Sequence, residues 1–390
     1  MPDYHDYDVA IVGGGIAGPA MACALAPTGR RVLLVERSSE PLDTARGDHL
    51  QPLSCEWLDA WGVLDDMWAL GAEKRLGSRY LLPQGELVLH STVDQLAIPH
   101  PYYLYLNHEL LSAALLRAAT RNPAFDHWCP ATAQPVVKPA GMELNVQTSA
   151  GSRTVRAKLV VAADGRTSRL RRAAGISADS HAYQNPMLTL FAPRTLVDER
   201  NEVRAYFSSA GIISVIPRMA GSWKIGFPVP PAQLPRWRRA GTVELGARLA
   251  EWVPELAGVQ PTVCGVYPIT SMNAQRWTAT NLVLIGDACN TLHPGRSQGM
   301  NVALRAVHRL TAMLAAADAL DSPDQLEQTL QAFEADLKPA MDQRLADNHQ
   351  RGLEMDRLDA GEQDRMRSGL ARVAADSRLR EAYCLKAAGY

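Results

Sequence analysis

Neither sign of charge is in excess in this chain: 40 Lys and Arg stand against 41 Asp and Glu, a formal net charge of −1. That balance removes the electrostatic case for nucleic acid or an anionic membrane as the main partner. The cysteines Cys23, Cys55, Cys129, Cys264, Cys289 and Cys384 never fall in close pairs, so neither a disulfide framework nor a zinc-ligand spacing is present. No run approaches the roughly 18 apolar residues of a membrane span. The residues before the first apolar strand lack the basic stretch and apolar core of a signal peptide. Internal repeats, low-complexity stretches, an added redox domain and a second glycine-rich nucleotide fold are also lacking. The expectation is a cytoplasmic protein without a transmembrane segment, a monomer or homodimer. With 390 residues and 47% apolar content, it has chain enough for two or three domains.

What is present begins with Tyr7-Asp8-Val9-Ala10-Ile11-Val12, which reads as a short buried strand. It runs into Gly13-Gly14-Gly15-Ile16-Ala17-Gly18 and then into a stretch of small, helix-compatible residues. The glycines at 13, 15 and 18 have the spacing of a dinucleotide-binding turn. The first permits the tight turn, the second lets backbone approach a pyrophosphate, and the third lets helix pack on strand. A second apolar strand, Val32–Val35, ends in Glu36, 18 residues past Gly18, where a carboxylate can accept from adenosine ribose hydroxyls. The motif alone serves NAD or FAD; its place near the start of the chain favours FAD. In the polar loop that follows, Arg46 is either one more surface arginine or a planar cation over a flavin ring or pyrophosphate.

Two further strands end the same way. Leu159–Ala163 leads into Asp164-Gly165 and an arginine-rich helical stretch, which is either a solvated face or a greeting for an anionic reductant. Asp164 is placed to cap that helix or to order a pyrophosphate through water. Leu282–Ile285 delivers Asp287 into a Pro/Gly-rich loop, and a helix opens at Gly299-Met300-Asn301. One acid for a polyol and one helix N-terminus for an electron-rich ring describe a flavin. In one open sheet, the turns at residues 13, 164 and 287 converge on a single crevice.

Gly13–Gly18 with Glu36, then Arg46-Gly47, Ala163-Asp164-Gly165, and Gly286-Asp287 through Asn301 together resemble the group A flavin monooxygenases, the superfamily of para-hydroxybenzoate hydroxylase. These anchors span about three quarters of the chain. The resemblance implies a mixed α/β fold: a Rossmann-like FAD-binding domain of the GR2 type, an inserted, mainly antiparallel β-sheet substrate domain, and C-terminal helices. It puts Gly13, Gly15 and Gly18 on the FAD pyrophosphate, Glu36 on the adenosine ribose, Arg46 near the ring or phosphates, and Asp287 on the ribityl chain. The helix from Gly299 aims its positive end at the ring. Ile16, Ala17, Arg37, Asp164, Pro294, Met300 and Asn301 complete the expected cofactor contacts. His108 stands where many relatives carry a flavin-contacting arginine. Asn290 and Arg305 depart from the His and Asp of many aromatic hydroxylases. Asp287-Ala288-Cys289-Asn290 with His293-Pro294 looks closer to the squalene epoxidase branch.

The activity so implied is monooxygenation: NADPH or NADH reduces FAD, O2 adds at the flavin C4a carbon, and one oxygen passes to a small organic substrate. No obligatory side-chain acid or base is named by it. An activated aromatic ring leads as substrate, with alkene epoxidation second. A flavin reductase and a non-catalytic flavoprotein remain as alternatives, whereas the Trp-x-Trp-x-Ile-Pro string of flavin halogenases is missing. Residues 202–207, 212–217 and 223–229 read as a strand meander, with a hairpin at 80–82 and 86–90 added to it. Tyr80, Tyr206 and Trp223 are its candidate pocket walls. The expected division is 1–76, 100–180 and 270–315 for FAD, 77–99 and 181–269 for substrate, and 316–390 as a helical region that covers the core, pairs with a second subunit or touches a membrane.

Overall fold

The computed structural model describes residues 4–40, 49–194, 200–219 and 221–390. Arg46 and Gly47 lie outside the described residues.

The all-apolar strand Val32–Val35 is buried along its length, as a parallel strand covered on both faces must be. It pairs with Tyr4–Val12, which pairs in turn with Gly151–Ala162, and that with Leu282–Leu284, all parallel. Phe125–Trp128 extends the far edge. The register sets Val12 beside Val35 and Ala162, and Ala162 beside Leu284, so the carboxyl ends of these strands are level. Helices Ala17–Leu25, His108–Ala119 and Gly299–Ala316 pack together on this sheet.

A second, seven-stranded sheet holds the expected meander as Val203–Ser208, Gly211–Arg218 and Ser222–Pro228, and the hairpin as Gly77–Leu81 with Leu87–Thr92. Met187–Pro193 and Thr262–Tyr267 add two strands on the other side. All pairs are antiparallel except Val203–Ser208 with Gly77–Leu81. Helices Leu234–Arg239 and Thr242–Ala250, which the strand pattern does not announce, cover one face: Trp237, Leu245 and Leu249 pack with Leu188, Tyr206, Ile213, Trp223 and Phe227.

Past Ala316 the chain is helical, with Pro323–Asp356, Ala360–Ala375 and Ser377–Ala388. The 34-residue helix lays Leu326, Leu330, Phe333, Met341 and Leu345 into the main core. Core coverage, one of the three uses open to this region, is seen for the long helix, whereas Ala360–Ala375 buries none of its residues. No helix among the described residues is long and apolar enough to cross a membrane.

Candidate flavin site

The glycine turn is built by contact. Gly13 has φ +116°, and a Cβ there would meet the Ala163 carbonyl oxygen at 2.1 Å. A Cβ on Gly18 would meet the Gly13 oxygen at 1.9 Å, so the helix Ala17–Leu25 sits hard on the strand only because both residues are glycine. Gly15 is different: a Cβ there would meet nothing within 4 Å. Its backbone faces open space, as a pyrophosphate cradle requires. Ile16 and Ala17 are buried at the start of the helix, whose N-cap makes no side-chain hydrogen bond, so its first N–H groups point into the crevice. Ser112 donates to the Gly14 and Gly15 carbonyls at 3.3 and 3.4 Å, securing the turn from the neighbouring helix.

Glu36 ends its strand half-buried beside this turn and accepts from the Gly14 and Ser38 N–H groups, the latter at 2.8 Å. Arg37 is exposed next to it. Asp164 Oδ2 accepts from Arg169 N at 2.7 Å, capping the helix Arg169–Ala173. Its Oδ1 is buried without a protein partner, an acceptor left over for a ligand or water. Arg171 escapes the charge-run reading. It is only 7% exposed, and its guanidinium donates to the Ala288 and Arg166 carbonyls at 2.8 and 3.0 Å. It thus ties the Asp164 turn to the Asp287 turn, while its three neighbours Arg166, Arg169 and Arg172 are exposed.

Asp287 lies in a 3₁₀ turn, its carboxylate exposed at the crevice, and a Cβ on Gly286 would meet Ala17 Cβ at 2.8 Å. The three strand ends therefore touch: Gly13 against Ala163, Gly286 against Ala17. Pro294 opens a second 3₁₀ turn, Pro294–Arg296, and Gly299 starts the helix Gly299–Ala316. A Cβ on Gly299 would also meet nothing within 4 Å. Met300 is half-buried behind it. Asn301, expected to touch the cofactor, has its side chain fully used by the protein. Its Oδ1 accepts from Gln51 N at 2.7 Å and Ser54 Oγ at 2.8 Å, and its Nδ2 donates to the His49 and Ser297 carbonyls. All four hydrogen-bonding positions are filled, so the side chain organises the helix start and leaves only backbone for a ligand. Asn290 is buried with its Oδ1 unpartnered. Burial drives the Cys289 thiol well above its ordinary range, which makes it inert.

The face of the second sheet opposite helices 234–250 is tied toward the crevice through Arg218, which reaches Tyr105 and Asn107. Tyr206 and Trp223, expected as pocket walls, are 1% and 2% exposed in the core under helices 234–250. Side chains alternate across a strand, so their odd-even neighbours point to the opposite face of the sheet. Across the sheet the register aligns Tyr80, Ala205, Ser214, Gly226 and Thr189 in one row. Four small residues in line form a trough, with Ile216, Lys224 and Phe191 along one bank and Phe207, Ile212 and Met187 along the other. At its end the Tyr80 hydroxyl meets the hydroxyl of Tyr383, from the last helix, at 2.9 Å. Burial pushes the Tyr383 phenol far up, so it stays a neutral hydrogen-bonding group at ordinary pH. On the same face Arg218 donates to Tyr105 Oη at 2.9 Å and to Asn107 Oδ1 at 3.1 Å, reaching the residue before half-buried His108, first in its helix. Sequence reasoning missed Arg218 and Tyr383; a lone arginine closing the apolar strand Gly211–Arg218 is the one signal it offered.

The residues present fit FAD: open cradles at Gly15 and Gly299, a spare acceptor on Asp164, and an exposed acid at Asp287. Residues 6–338 match the family described as FAD binding domain. The chain is 30% identical over 310 residues to 6-methylpretetramide 4-monooxygenase of Streptomyces rimosus, covering 76% of this chain and 72% of that protein. It is 26% identical to squalene epoxidase 5 of Arabidopsis thaliana, covering 85% of this chain and 66% of that one. The crystal structure of p-nitrophenol 4-monooxygenase from Pseudomonas putida DLL-E4 shares the fold, with a TM-score of 0.82, 19% identity and 98% of each chain covered. The matched span runs from the glycine turn past the Asp287 loop, the whole stretch over which the crevice is built. The chain belongs to the FAD-dependent monooxygenases of the para-hydroxybenzoate hydroxylase superfamily.

Proposed function

We propose that this FAD-dependent monooxygenase hydroxylates a flat, largely apolar aromatic ring, taking electrons from NADPH or NADH and oxygen from O2. The observation that carries this reading is the trough Ala205–Ser214–Gly226–Thr189, a line of small residues banked by Ile216, Phe191, Phe207, Ile212 and Met187 with the single cation Lys224 among them, which suits a planar, largely apolar molecule. Bound FAD supplies the redox and oxygen-transfer chemistry. The protein's part is to hold, orient and keep dry. Gly13, Gly15, Ile16, Ala17 and Gly18 offer backbone N–H groups to the pyrophosphate, Glu36 accepts from the adenosine ribose, and Asp164 Oδ1 accepts from a bridging water. Asp287 accepts from the ribityl hydroxyls. The N–H groups from Gly299 to Asn301 would be the donors offered to the ring, where the helix N-terminus favours negative charge. Pro294 shapes that turn, and His108 and Arg37 flank the two ends of the site. Tyr80 and Tyr383 orient a substrate oxygen at the end of the trough.

On this reading 1–76, 100–180 and 270–315 hold FAD, 77–99 and 181–269 hold substrate, and 316–390 braces both. All six cysteines are free thiols, which supports a reducing cytosol as the working compartment. Epoxidation of an alkene is the second reading, favoured by the His293-Pro294 string and the match to a squalene epoxidase. With ¹⁸O2, one heavy atom should enter the product, on an aromatic carbon for the first reading and as an oxirane for the second. Label arriving only from water would sink both. NAD(P)H oxidation that no planar aromatic stimulates would sink the first.

A further inference from the structure

The helix Pro323–Asp356 sends polar side chains from one side to several backbone segments. Glu334 accepts from the Trp277 and Thr278 N–H groups at 3.0 Å each, and Asp356 from those of Gln184 and Asn185 at 2.8 Å each. Asn348 alone among them meets the loop that follows Asp287. It is 5% exposed, and both ends of its amide go to one residue. Oδ1 accepts from His293 N at 2.7 Å, and Nδ2 donates to the His293 carbonyl at 3.2 Å. His293 is itself 4% exposed, and its Nδ1 accepts from Gly295 N at 3.2 Å, closing the turn Pro294–Arg296. One helical heptad further on, Met355 lies under that turn, since a Cβ on Gly295 would meet its Sδ at 2.7 Å. The turn between Asp287 and Gly299 is therefore seated on the long helix at two points, and Asn348 fixes the direction in which it leaves.

We propose that Asn348 is a positioning residue for the flavin ring: its two-ended grip on His293 sets the angle at which residues 294–300 present their N–H groups to the cofactor. The proposal rests on the FAD reading above, but Asn348 lies beyond residue 338, outside the span that matches the family. Its physical basis is that an oriented donor helps only when already in place. Without the grip, the buried N–H and C=O of His293 lack partners, and the loop moves to find water rather than stay.

The test uses the full chain with Asn348→Leu, which removes both bonds, and Asn348→Asp, which keeps the acceptor for His293 N–H. Without added FAD, amide exchange within residues 293–300 should rise at least tenfold in Asn348→Leu and less in Asn348→Asp, while residues 159–162 stay protected. With FAD bound, the flavin midpoint potential should fall in the same order, because reduced anionic flavin loses its oriented donors. Unchanged loop exchange with an unchanged potential overturns the proposal. So does loss of protection across the whole molecule in both variants, which would make Asn348 a fold residue only. A wild-type protein that never binds FAD defeats the flavin reading, and the exchange arm still decides the grip.

Discussion

Asp287 ends a strand that is wholly buried, yet its own carboxylate is exposed at the crevice. Its proposed role as acceptor for a polyol predicts that Asp287→Ala weakens FAD binding about 10- to 100-fold, the loss of a charge-assisted hydrogen bond. Flavin fluorescence quenching measures it, and an unaltered dissociation constant removes Asp287 from the site. His293 makes a different prediction. Burial pulls its imidazole down to about 4, with His349 adding to the effect and Asp356 opposing it. A histidine kept neutral by the fold takes up protons in the unfolded chain first. Stability is therefore full above about pH 6.5 and falls toward pH 4, by about 3 kcal/mol over that window. Urea unfolding at pH 7.5 and pH 5 checks this, and His293→Gln should flatten the dependence. Gly13, Gly18, Asp164 and Asp287 are legible in the sequence because backbone contact and strand ends dictate them locally. The use of Asn301 is not, since its partners sit at 49, 51, 54 and 297. Arg171 and Asn348 are hidden for the same reason: nothing local names a carbonyl 117 residues away or a loop 55 residues back.

At the level of elements, the meander and hairpin follow from alternation and turn residues, and they sit within a few residues of where the pattern puts them. Which face meets the flavin does not follow. Tyr206 and Trp223 look like pocket walls because aromatics draw attention, whereas both are buried in the core, and the small residues proposed as the wall are marked by no sequence pattern. The helices 234–250 decide the matter by covering the aromatic side. The trough predicts that Gly226→Leu blocks substrate while sparing the cofactor. Substrate-stimulated NAD(P)H oxidation should drop at least tenfold, with FAD affinity unchanged and about 1–3 kcal/mol lost to overpacking. Gly226→Ala is the control, because its Cβ would lie 3.6 Å from Met187 Sδ, an ordinary contact. Equal activity in the leucine variant would move the substrate elsewhere.

In the whole molecule, the last helix joins what the two sheets separate. Gln51 Nε2 donates to the Ala387 carbonyl at 2.9 Å and Arg305 donates to that of Gly389, on the flavin side, while Tyr383 and Cys384 meet Tyr80 and Ser91 on the other. Arg305, expected as a departure from the aspartate of many aromatic hydroxylases, thus has a structural use in holding the last helix. The level register of Val12, Ala162 and Leu284 has a consequence for how the protein is made. Its crevice depends on pairings between segments more than a hundred residues apart, the slowest kind to form. On a ribosome the glycine turn emerges first and waits on the order of tens of seconds for the strand that carries Asp287. A ligand that spans all three docked strands stabilises that late step by mass action, so removing FAD should raise amide exchange in Leu282–Leu284.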